Sequence, residues 1–172
     1  QLDDKRKTMS EVLSALCYIH SANIVHRDVR PKNILMTKRG AKLTGFHAAR
    51  HVGHERPLDS WDGCVNYRAP DGICDVWAFG CVLMEIEIQR QLFPGDSEID
   101  VRREQQRVFE GSCFLDMLPK NDRTPQVAEI ASLCLCDDRC SASEALLHPY
   151  FITTPSTFLG GPLYTKLEAH CR

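Results

Sequence analysis

The sequence predicts a mainly α domain carrying one small β-hairpin, and three observations predict it. Apolar residues recur at helical spacing early in the chain, as Met9, Val12, Leu13, Leu16, Cys17 and Ile19. A second stretch, Val76 to Ile88, is apolar almost all round, which marks a helix buried on most of its sides. Only one place, Ile34 to Leu43, pairs two short strand-forming runs across a turn.

Taken in order, the first period predicts a helix from Met9 to about His20. Ile34-Leu35-Met36 and Ala41-Lys42-Leu43 predict strands joined across Thr37-Lys38-Arg39-Gly40 as a tight hairpin. Residues 47 to 70 mix His, Gly, Pro, Arg and Asp without a period, which predicts a long functional loop. The buried helix follows. Ser97 can cap another helix reaching to about Glu110, and Thr124-Pro125 starts a further one, with Pro where its missing N–H costs nothing. Ser141 and Glu144 form a capping box before Ala145-Leu146-Leu147, and Pro149 helps stop that helix. From Ile152 the chain carries Thr, Pro and Gly-Gly and reads as a loosely held tail.

The 172 residues suffice for one domain, and a 43% hydrophobic share is ordinary for a globular chain. A net charge of −2 gives no nucleic-acid footprint. No apolar run approaches the roughly 18 residues of a membrane helix, and no signal segment opens the chain. Nine cysteines without a signal segment predict reduced thiols in a cytoplasmic or nuclear protein. Cys134, Cys136 and Cys140 cluster near Asp137 and Asp138. They form no C-x-x-C pair, and His148 completes no zinc spacing, so they read as small apolar side chains. The chain starts at Gln1 rather than Met, so either residues precede it or its start has been trimmed.

Between the first helix and the hairpin stands His26-Arg27-Asp28-Val29-Arg30-Pro31-Lys32-Asn33. This run resembles the protein-kinase catalytic loop H-R-D-x-K-P-x-N, in the same helix-before, hairpin-behind setting. The resemblance implies the C-terminal helical lobe of the protein-kinase fold over residues 1–151, with 152–172 as a tail. It implies catalytic roles for Asp28, which would orient a substrate hydroxyl and accept its proton, and for Arg30, in place of the Lys that contacts the transferring phosphate. Asn33 would be the magnesium ligand and so the contact to Mg-ATP. Pro31 leans towards the serine/threonine class.

Further matches extend the likeness to about residue 151. Tyr67-Arg68-Ala69-Pro70-Asp71 is similar to Y-R-A-P-E, and Asp75-Val76-Trp77-Ala78-Phe79-Gly80-Cys81 to the opening of the central buried helix. The family pattern makes Asp75 a hydrogen-bond acceptor for the catalytic-loop backbone and pairs Asp71 with Arg139. Leu92 to Asp100, and Ser141 to Phe151, resemble segments of cyclin-dependent kinases. The implied activity is transfer of the ATP γ-phosphate to Ser or Thr of proteins. The implied partners are protein substrates and a cyclin-like regulator, with neither nucleic acid nor membrane.

Four departures weigh against catalysis. The metal-binding D-F-G reads Gly45-Phe46-His47, so the carboxylate that bridges magnesium to the phosphates is missing, while Phe46 can still pack. No G-x-G-x-x-G and no V-A-I-K occurs in the 172 residues, so a nucleotide would have a floor and no roof. Asp71 and Asp75 are four apart where the family spaces them by about a dozen residues. Cys64 replaces a Thr that braces the catalytic Asp. The expected function is therefore a pseudokinase-like binding module, with the Phe93-Pro94-Gly95 loop and following helix as a docking site. The alternatives are a piece of a longer active kinase and a decayed or truncated gene product. Arg27 and Arg50 could meet an anion near Asp59 or Ser60, but a solvated loop is the simpler reading, and His51 and His54 read as surface residues.

Overall fold

The computed structural model describes residues 2–53, 63–72, 74–111, 113–120 and 124–152. The long early helix, α1 (Leu2–Ser21), is followed by β1 (Ile24–Val25), the loop 26–33, and the hairpin of β2 (Ile34–Thr37) and β3 (Gly40–Leu43). After β4 (Arg50–His51) come α2 (Asp75–Ile88), α3 (Glu98–Gly111), α4 (Phe114–Met117), α5 (Pro125–Cys134) and α6 (Ala142–Leu146). The architecture is mainly α, with two small antiparallel sheets.

The central helix α2 is apolar on every side because it is enclosed: Val76 through Met84 are all buried. It packs against α1 and α5, and α1 in turn carries α6 and the hairpin. Gly80 permits the α2–α5 contact, since a Cβ there would lie 2.8 Å from Cβ of Cys134 and 2.9 Å from Cγ of Leu135. Trp77, Phe79, Phe93, Leu13, Leu16 and Leu83 fill the middle of the core.

The hairpin pairs Ile34 with Leu43 and Thr37 with Gly40 around Lys38-Arg39. Thr37 Oγ1 accepts from the Arg39 N–H at 3.1 Å and donates to the Gly40 carbonyl at 2.8 Å, closing the turn locally. Glu11 on α1 accepts the Ala41 N–H at 2.6 Å, which seats the hairpin on the helix. The capping box of α6 is formed on both sides, with Ser141 Oγ accepting from Glu144 N–H and Glu144 accepting from Ser141 N–H.

Several boundaries differ from expectation. α1 begins at Leu2, not Met9, because polar residues such as Lys5 are good helix formers and need no apolar period. Lys5 also has a tertiary partner, the buried Glu87 carboxylate at 3.0 Å. The 47–70 stretch is not loop throughout. It contains β4, paired with β1 as Ile24–His51 and Val25–Arg50, and 3-10 turns at Phe46–Ala48 and Val65–Tyr67. Phe93 is 1% exposed and stacks on Trp77 at 5.9 Å, so it belongs to the core and offers no docking side chain. His54, Asp59, Ser60 and the tail beyond Ile152 lie outside the described residues.

Candidate functional site

The loop 26–33 is hung from the first residue of α2. Asp75 Oδ2 accepts from the His26 N–H at 2.7 Å and from His20 Nε2 at 2.9 Å, while Oδ1 accepts from the Arg27 N–H at 2.8 Å. Burial alone would raise the pKa of Asp75, but these three donors outweigh it and hold the carboxyl below its usual range. The helix N-terminus favours the same charge. The grip matters because Arg27 sits at φ +72°, a left-handed conformation that costs a non-glycine residue about 1–2 kcal/mol. Arg27 Nη1 also donates to the Ala48 carbonyl at 3.3 Å, tying the loop to the segment after the hairpin.

His26 is fully buried and its tautomer is set by its two partners. Nδ1 accepts from the Asp28 N–H at 3.2 Å, so Nε2 carries the proton donated to the Thr44 carbonyl at 2.8 Å. Phe46 meets the imidazole edge-on, with centroids 4.7 Å apart. His26 and Phe46 thus bind the catalytic-type loop to the Gly45-Phe46 turn by packing.

Asp28 is 4% exposed, and both of its carboxylate oxygens are engaged. Oδ2 accepts from Asn33 Nδ2 at 2.7 Å and lies 3.2 Å from Arg30 Nε; Oδ1 accepts from the Cys64 N–H at 3.2 Å. Asn33 Nδ2 donates a second time, to the Asp28 carbonyl at 2.7 Å. The brace expected from a Thr at position 64 is therefore supplied by backbone, while the Cys64 thiol turns to Asn66 Oδ1 at 3.3 Å.

Gly45 lies against this cluster at φ +81°. A Cβ at residue 45 would sit 2.5 Å from Cγ and Oδ1 of Asn33 and 2.7 Å from its Nδ2. The Asn33 carboxamide therefore fills the space where the family places a metal-binding side chain.

These residues do not fit a magnesium ion. Magnesium demands hard oxygen ligands in near-octahedral array, with carboxylates supplying most of the protein's share. Here residue 45 has no carboxylate, and both oxygens of Asp28 are committed to Asn33, Arg30 and Cys64. One neutral carboxamide oxygen, on Asn33, remains.

Asp71 and Arg139 meet as a bidentate pair, at 2.8 and 2.5 Å, and the Asp71 carboxyl is held below its usual range by that guanidinium. Arg139 also lies over the Trp77 ring, 5.2 Å from its centroid, so the pair fastens the end of the 63–71 segment to the core. The structure brings His26, Arg27, Asp28, Arg30, Asn33, Gly45, Phe46 and Asp75 into one neighbourhood. His20 and Thr44 join that network without any signal in the sequence: one acts from the end of α1, and the other through its carbonyl.

The chain matches the protein kinase domain over residues 1–151. It is 38% identical over 109 aligned positions to cyclin-dependent kinase 1 of Encephalitozoon cuniculi, covering 55% of this chain and 36% of that protein. It is 30% identical over 186 positions to cyclin-dependent kinase-like 2 of Pongo abelii, covering 85% and 37%. To the meiosis induction protein kinase IME2/SME1 of Saccharomyces cerevisiae it is 34% identical over 122 positions, covering 55% and 19%. The chain thus spans well under half the length of these relatives. With the catalytic-type loop, the buried α2 and the Asp71–Arg139 pair in place, the chain belongs to the protein kinase family, on the side of the cyclin-dependent kinase-like serine/threonine kinases.

Proposed function

We propose that this chain is a non-catalytic, serine/threonine-kinase-like lobe that works by binding protein partners. The observation that carries the reading is Gly45 packed on Asn33, with no carboxylate to bring magnesium to ATP phosphates. The catalytic-type loop then serves as structure: Asp28 is a hub that ties Asn33, Arg30 and residue 64 together. Residues 1–151 form the lobe and 152–172 an appended tail. The partners are proteins, a cyclin-like regulator among them. Eight described cysteines are free thiols, which fits a reducing cytoplasmic or nuclear setting.

The test is phosphate transfer from Mg-ATP to a basic protein substrate by the purified chain, beside its Asp28→Asn variant. The reading expects equal, background incorporation from both. Magnesium-dependent transfer that disappears in Asp28→Asn would overturn it.

A second reading is favoured by one surface. Leu35 and Met36, on opposite sides of β2, and Phe46 are 56%, 61% and 46% exposed, leaving apolar surface around the hairpin and the turn after it. That surface suits a second lobe of a longer kinase. An intact mass of the endogenous protein well above 19.5 kDa, with a glycine-rich loop and lysine strand upstream, would favour this reading.

A further inference from the structure

We propose that the cavity bounded by Pro70, α2, α3, α4 and α5 is a docking site for a partner segment carrying a basic residue beside a bulky apolar one. It deepens the binding-lobe reading above and rests on it.

The cavity measures about 460 Å³, within the usual range for ligand pockets. Its wall is aromatic: Phe109 contacts both Trp77 and Phe114, with Trp77–Phe109 centroids 5.8 Å apart and Phe109–Phe114 perpendicular at 6.2 Å. Phe109 is 45% exposed, an unusual position for a ring that touches two buried ones. The Trp77 indole N–H is buried and has no hydrogen-bond partner among the described residues. Pro70 stands at the rim of the cavity.

Charge selects the occupant. Asp137 lines the cavity, is exposed, and makes no ion pair among the described residues. Of the cations nearby, Arg139 is paired with Asp71, and Arg102 shares Glu98 with Arg68. An incoming Lys or Arg meets the Asp137 carboxylate, the charged group among the described lining residues, and, along its stem, Phe109. An adjacent Leu or Phe has the aromatic wall. An acidic segment would meet Asp137 with like charge.

The probe is the peptide acetyl-Gly-Arg-Leu-Phe-Gly-amide, titrated to millimolar concentration into the ¹⁵N-labelled full chain, beside its Arg→Glu counterpart. Saturable shifts should centre on Phe109, Phe114, Ser132 and Cys136. Asp137→Lys, an exposed change, should weaken the Arg peptide by about fivefold or more and improve the Glu peptide. Phe109→Ala should weaken both. Equal binding of the two peptides, shifts confined to another face, no saturable shift, or self-association through this face would each overturn the site. Those outcomes leave the non-catalytic reading untouched, whereas Asp28-dependent phosphate transfer would overturn that reading and not the site.

Discussion

Asn33 keeps its place through two 2.7 Å bonds to Asp28, and any side chain introduced at residue 45 must push it aside. The left-handed backbone at Gly45 is not the obstacle, since Asp is among the residues that tolerate it. Gly45→Asp should therefore destabilise by about 1–3 kcal/mol, the usual cost of crowding a packed site. The double variant Gly45→Asp, Asn33→Ala should recover part of that loss in urea denaturation. A Gly45→Asp chain as stable as its parent would show that Asn33 is free to leave. Asp75→Asn should cost on the order of 3 kcal/mol, because an amide offers one acceptor oxygen to three donors and turns an NH2 group towards an N–H. Thermal melting measures it, and an unchanged midpoint would contradict the role given to Asp75. At this scale the sequence carried the loop because H-R-D-x-x-x-x-N is contiguous. It could not carry Asn33 lying in the space beside Gly45, which is a matter of side-chain placement across two elements. Nor could it mark His20, whose partner lies 55 positions away.

Among elements, the closing helix α6 offers a pH probe. His148, just after it, is 2% exposed, and burial pushes its pKa down to about 4. The unfolded chain protonates this imidazole near pH 6.5, so the folded state, which keeps it neutral, is the poorer proton binder below that value. Stability should be full above about pH 6.5 and decline as pH falls from there towards 4. Asp71 and Asp75 have lowered pKa values and stay ionised in that window, so their contributions fade only at lower pH. Urea midpoints at pH 7 and pH 5 should differ in the parent and converge in His148→Gln; the same difference in both would contradict the assignment. Elements with local signals were legible: the capping box of α6, Pro125 at the start of α5, and the hairpin register. Those resting on tertiary partners were not. β1 and β4 are two residues each and exist only as a pair, α4 is a single turn, and the first turns of α1 are polar.

The whole molecule is organised around α2, which buries its length between α1 and α5 and presents Asp75 at its start to the catalytic-type loop. That is why the kinase framework can stand without a carboxylate at residue 45. The residues that hold the framework, Asp75, His26, Asp71 and Arg139, make their contacts without needing a side chain at Gly45, where the metal carboxylate is missing. Fold and family were legible because nearly every framework motif is contiguous in the chain. Gly45, with the Asn33 carboxamide packed against it, is what the non-catalytic proposal rests on most. Calorimetric titration of ATP into the full chain, with and without magnesium, tests this most directly. A lobe without the metal carboxylate should give no saturable magnesium-dependent heat at millimolar nucleotide. Saturable binding that requires magnesium and is lost in Asn33→Ala would contradict it.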